Sequence, residues 1–112
     1  MSTFDEKQLG QLRPLDTLAA SLYTPPSGKT GVITTIHVCN VTSSSASFSI
    51  FLDDNGTTYT TDTAIYYNIP LDPYSTAQIQ THVGMPTYGG NLAVSSTIAG
   101  ALTFTAHGLE VY

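Results

Sequence analysis

At 112 residues the chain is one domain long, and folding should bury roughly 65% of the surface its unfolded form exposes, enough for a single core. Charged residues make up 10% and hydrophobic residues 41% of the sequence, with Ser and Thr abundant, so solubility rests on hydroxyls and amides. Three Lys and Arg against eight Asp and Glu leave a net charge of −5, which excludes neutralising a run of phosphates and so excludes nucleic acid and anionic membranes as partners.

The opening segment, MSTFDEKQLGQLRPLD, is acidic and polar where a signal peptide is basic and then apolar. No apolar run reaches the roughly 18 residues of a membrane span, so synthesis in the cytoplasm is expected. The single cysteine, Cys39, has no internal disulfide partner. Over residues 1–23, Leu9, Leu12, Leu15, Leu18 and Leu22 recur at three or four, a helical spacing that Gly10 and Pro14 interrupt. This predicts an extended N-terminal arm with one helical turn, joined to a body over 24–112; removing the arm should leave the body folded. TPPSGKTG, residues 24–31, marks a rigid turn in which Gly28 and Gly31 supply backbone angles that other residues avoid.

From Val32 onward short strands alternate with turn signals. Alternation over 32–41 places Val32, Ile36 and Val38 on one face and Ile33, His37, Cys39 and Val41 on the other, the pattern of a central strand. TSSSA then reads as a hairpin loop leading into Ser47 to Leu52. DDNG, residues 53–56, is a strong turn. AIYYNIPL, residues 64–71, is a strand whose Pro70 argues for a strand end or a sheet edge. Further strands follow over 77–83 and 92–96. LTFTAHGLEVY closes the chain, with Leu102, Phe104 and Ala106 opposed to His107, Leu109 and Val111, and with Gly108 suggesting a bulge. The predicted fold is all-β: one small β-sandwich or jelly roll of about six to eight antiparallel strands, carrying the N-terminal arm.

Motifs for chemistry are sparse. His37 and Cys39 share a strand face and His107 could oppose them, but a metal centre needs further ligands that no CxxC or HExxH supplies. Asp53, Asp54, Asn55 and Asp62 could offer oxygens to a calcium ion, without EF-hand spacing. Asn40 and Asn55 satisfy the glycosylation pattern and read as turn residues. No paired carboxylates, nucleophile elbow or phosphate-cradling loop is present, so neither an enzyme nor a cofactor is expected. Tyr66, Tyr67, Tyr74 and Tyr88 are candidate interface aromatics, suited to a protein contact or a sugar platform.

The succession LYTPPSGKTGVITTIHVCNVTSSSASFSIFL, IYYNIPLDPYSTAQIQ and LTFTAHGLEVY resembles a family of small β-sandwich virion proteins of tailed bacteriophages. The matching positions are Leu22, Tyr23, Thr24, Gly28, Thr30, Val38, Cys39, Asn40, Phe48, Pro70, Phe104, Gly108 and Glu110. The DDNGTT turn, the GMPTYGG loop and residues 1–21 depart from it. The resemblance implies a non-enzymatic virion structural protein, foremost a capsid decoration or cement protein that forms a homotrimer and binds a major capsid protein. A tail, neck, baseplate or fibre-associated protein is the alternative, and a receptor- or carbohydrate-binding module a third. On the decoration reading, Phe4, Leu9, Leu12, Arg13, Leu15 and Leu18 of the arm would form the assembly tether.

Overall fold

A computed structural model describes residues 3–53, 57–85 and 90–112. Among the described residues eight strands run in chain order: β1 (Phe4–Leu12), β2 (Ala20–Tyr23), β3 (Thr30–Asn40), β4 (Ala46–Asp53), β5 (Ala64–Leu71), β6 (Thr76–Met85), β7 (Asn91–Ser96) and β8 (Leu102–Val111). They form two four-stranded sheets of order β1-β8-β3-β6 and β2-β7-β4-β5, with every pairing antiparallel. The pairs β1·β8, β2·β7, β3·β6 and β4·β5 are nested like one long hairpin rolled upon itself, which is the jelly-roll arrangement. Inner faces carry β-branched and aromatic residues at alternate positions. Phe48 of one sheet meets Phe104 of the other edge-to-face, centroids 6.3 Å apart, at the middle of a core that includes Ile36, Val38, Ile50, Leu92, Val94 and Leu102.

The expected hairpin over 32–52 does not form. β3 and β4 lie in different sheets, so residues 41–45 cross from one sheet to the other. Asn40 builds that crossing. Buried, its side-chain amide donates to the Ser44 and Leu71 carbonyls, while its oxygen accepts from the backbone and hydroxyl of Thr42. Glycosylation at Asn40 is incompatible with that burial.

Nor is residues 1–23 an arm around a separate body. β1 pairs with β8 along its length and β2 pairs with β7. The leucine spacing that suggested a helical turn has another origin: a bulge between Gln8 and Gly10 lets both Leu9 and Leu12 pack on the core within a strand.

Alternation along β8 is unbroken from Leu102 to Glu110, and irregularities fall on its neighbours. Between Ala106 and Gly108 of β8, β1 inserts an extra residue near Leu9 and β3 inserts one near Thr34. The bulge in β3 reverses its phase, so Ile33 joins Ile36 and Val38 in the core instead of sharing a face with His37. Gly108 is where β3 closes in: a Cβ there would collide with the Val32 carbonyl and lie 3.0 Å from the Ile33 Cα. Pro70 sits on β5, an edge strand that is twice irregular against β4, features that guard an open edge against unwanted pairing.

Two outcomes follow. Gly108→Ala should destabilise the protein by about 2–4 kcal/mol, because rigid backbone must move. Gly84→Ala, whose Cβ meets nothing within 4 Å, should lie within about 0.5 kcal/mol of the parent; urea unfolding of both variants measures the contrast. Deleting residues 1–12 strips a whole strand from β8 and should abolish cooperative unfolding and cause aggregation, observable by near-ultraviolet circular dichroism and size-exclusion chromatography.

Candidate functional site

Among the described residues, two polar clusters and several exposed apolar side chains stand out as features available for function. The first cluster is buried at one end of the sandwich. The inward parity of β8 carries Glu110 into the interior, where it is only 3% exposed. Tyr23 of β2 crosses from the opposite sheet and donates its hydroxyl to Glu110 Oε2 at 2.7 Å. Gly31, opposite Glu110 on β3, makes room, since a Cβ there would stand 2.6 Å from the Tyr23 ring. That packing, rather than an unusual backbone angle, is the reason for glycine at 31; Gly28 is the one of the pair with positive φ, 80°. Lys7 of β1 approaches Glu110 Oε1 at 3.0 Å and Asp5 at 3.3 Å, and Lys29 lies 3.6 Å from Oε1 and 4.4 Å above the Tyr112 ring. Burial alone would raise the Glu110 carboxyl, but the Tyr23 hydroxyl and the Lys7 ammonium outweigh it and hold the group below the usual carboxylate range. Burial, reinforced by the bond to Glu110, pushes the Tyr23 phenol far above its ordinary value. This cluster ties β1, β2, β8 and the 24–29 turn together.

The second cluster lies on the outer face of the β1-β8-β3-β6 sheet. His37 of β3 and His107 of β8 face each other there, rings edge-to-face with centroids 5.4 Å apart. They border a depression of about 400 Å³ whose lining also includes Glu6 and Gln8 of β1, Thr34 and Thr35 of β3, and Gln78 of β6. Cys39 follows on the same strand opposite Thr103, away from this lining. Among the described residues no three His, Cys, Asp or Glu side chains converge as a metal site. Asp53 Oδ2 accepts from the Thr58 amide, and the Tyr59 ring lies beside Phe51; Asp62 is exposed, and Asp54 and Asn55 lie outside the described residues.

The six tether candidates separate. Leu9 and Leu12 pack on the core, whereas Phe4, Leu15 and Leu18 are 70–79% exposed and Arg13 is exposed. Leu15 and Leu18 belong to the link between β1 and β2, which is held beside the β7–β8 turn by a bond from the Gly100 amide to the Pro14 carbonyl. The tyrosines do not assemble into one platform. Tyr66 packs toward the core, its neighbour Tyr67 is exposed on the β5 edge, and Tyr74 is exposed on the next turn with φ of 55°. Tyr88 lies outside the described residues. Sequence reasoning grouped His37 and Cys39 with His107 as a group that could face them, and the structure brings only the two histidines together; it missed Glu110 as a buried residue, although the even-numbered series 102, 104, 106, 108, 110 carries that signal. Glu6, Gln8 and Gln78 had no local signal at all, because strand register alone brings them to the depression.

By strand order and pairing the protein is an eight-stranded jelly roll. No protein-family model and no curated protein matches the sequence. Among solved structures, the fold is similar to part of a chain in the T13 viral particle of infectious bursal disease virus, with 12% identity and a TM-score of 0.54, covering 99% of this chain and 30% of that one. It is likewise similar to a chain of the Gx strain of that virus, at 10% identity and a TM-score of 0.52, covering 99% and 31% respectively. The protein thus spans about a third of the length of the chains it matches, and what it shares with them is the fold.

Glu110→Gln should cost about 1–3 kcal/mol and Tyr23→Phe about 1–2 kcal/mol, since each leaves a buried polar partner unmatched. The lowered Glu110 pKa contributes stability that is present above the unfolded value, about 4.3, and is lost as pH falls through the folded one. Glu110→Gln should therefore flatten the acid limb of a stability–pH curve. The raised Tyr23 pKa works oppositely, its contribution fading above about pH 10, so Tyr23→Phe should flatten the alkaline limb. Chemical denaturation across pH distinguishes the two.

Proposed function

We propose that the protein is a non-enzymatic structural protein of a tailed-bacteriophage virion, and specifically a capsid decoration protein that forms a homotrimer on a shell of major capsid protein. The observation that carries this reading is the nested jelly-roll strand order, which over 99% of the chain is similar to part of chains found in viral particles. The resemblance to small phage virion proteins supports the same class from the sequence side, and it is the source of the trimer and the shell location. Fold alone does not specify function, so the surface must also suit assembly. Three features do. Phe4, Leu15 and Leu18 are large apolar side chains left in solvent. Ile65, Tyr67 and Ile69 add exposed apolar area along the β5 edge. The buried Glu110 cluster stiffens the end where β1 begins, so contacts at Phe4 would be made by a fixed strand. Contacts of this kind, each modest, gain strength when many copies engage a lattice together.

A location in the tail, neck or baseplate is the alternative within the same class, and copy number separates the two. Quantitative mass spectrometry of purified particles of the encoding phage should find this chain in hundreds of copies; a few to a few dozen would move it to the tail, and absence from the particle would overturn the structural reading. Replacing Leu15 and Leu18 together by Ser should leave the fold intact and reduce retention on particles at least tenfold in a sedimentation assay.

A further inference from the structure

We propose that the depression bordered by His37 and His107 is a binding site for a neutral saccharide, a mono- or disaccharide unit of a larger glycan. This goes beyond the particle role and does not depend on it, because the site is complete within one chain.

The depression is positioned by the line of irregularities that crosses the sheet beside His107 and Gly108. In β3 the bulge at Thr34 ends the run that would have pointed Ile33 outward, so imidazole, hydroxyl and amide groups occupy the outer face instead. At about 400 Å³ it falls within the usual size of a small-ligand site, roughly 300–1,000 Å³. Its side chains come from all four strands, Glu6 and Gln8 of β1, His107 of β8, Thr34, Thr35 and His37 of β3, and Gln78 of β6.

The chemistry of the lining selects the ligand. Apolar ligands find no aliphatic side chain there. An anion meets the Glu6 carboxylate, and the ammonium of Lys7, which also lines the depression, is already engaged by Asp5 and Glu110. A metal ion lacks a converging third ligand among the described residues. What remains is a set of mixed donors and acceptors. Glu6 accepts, Gln8 and Gln78 do both through amides, Thr35 does both through a hydroxyl, and each imidazole presents two ring nitrogens for hydrogen bonding. Among the described residues the two imidazoles have no partner except each other's ring. Such a set matches a ligand whose vicinal hydroxyls also donate and accept, and the imidazole rings add flat surfaces against which a pyranose can lie. The breadth of the sheet face suits a sugar bound at the surface as part of a longer chain.

The test is saturation-transfer difference NMR on the full-length protein with glucose, galactose, N-acetylglucosamine and maltose at millimolar concentration. Amide shifts of Thr34, Thr35, His107 and Gly108 are followed in parallel. Transfer to at least one sugar, with shifts confined to those amides, is expected. Binding should fall at least tenfold in His37→Ala and His107→Ala and severalfold in Glu6→Gln, with unchanged circular dichroism, and should persist in Tyr67→Ala and Tyr74→Ala. The proposal is overturned if none of the four sugars shows transfer. It is equally overturned if binding survives the His37→Ala/His107→Ala double variant, or if those amides respond to zinc alone.

Discussion

The backbone of β3 lies so close to β8 at Gly108 that no side chain fits between them, and much of the molecule takes its register from that contact. Because β8 keeps its alternation through this point while β1 and β3 bulge around it, one strand acts as the reference for the whole sheet. The phase change in β3 sends Ile33 inward to the core and leaves His37 outward beside His107. The same unbroken parity delivers Glu110 to the interior. Core composition, the buried charge and the histidine pair are thus three consequences of one close approach.

Glu110 would be costly in an apolar interior without partners, and the sequence surrounds it with three. Tyr23 reaches it from the opposite sheet, Lys7 from the edge strand and Lys29 from the turn before β3. The polar cluster therefore joins segments far apart in the chain, and its geometry requires residues 4–12 to be paired with β8. The N-terminal segment is for this reason part of the sandwich, and Phe4 stands on a strand held at both ends of its pairing with β8. A surface built that way suits repeated docking, since little conformational freedom is lost at each contact.

The two faces of the molecule differ in what they offer. Exposed apolar side chains occur on the β1–β2 link, the β5 edge and the start of β1 at Phe4, whereas the depression on the outer face of the β1-β8-β3-β6 sheet is furnished with imidazoles, amides and hydroxyls.

The sequence by itself determined the all-β class, nearly every strand from β3 onward, a strand end or sheet edge at Pro70 and the turn role of Asn40. These depend on local alternation, β-branched content and turn chemistry, which a single stretch of chain carries. It misled at residues 1–23, where a bulge places Leu9 and Leu12 three apart as a helix would, and at 41–45, where a short polar link resembles a hairpin loop but changes sheets. Part of the site was legible: alternation left His37 and His107 free to face each other from two strands, while the burial of Glu110 and the convergence of Glu6, Gln8 and Gln78 left no trace in the local pattern. Only the tertiary structure decided which strands are neighbours, because alternation specifies a face and never a partner, and in a jelly roll nearly every partner lies far along the chain.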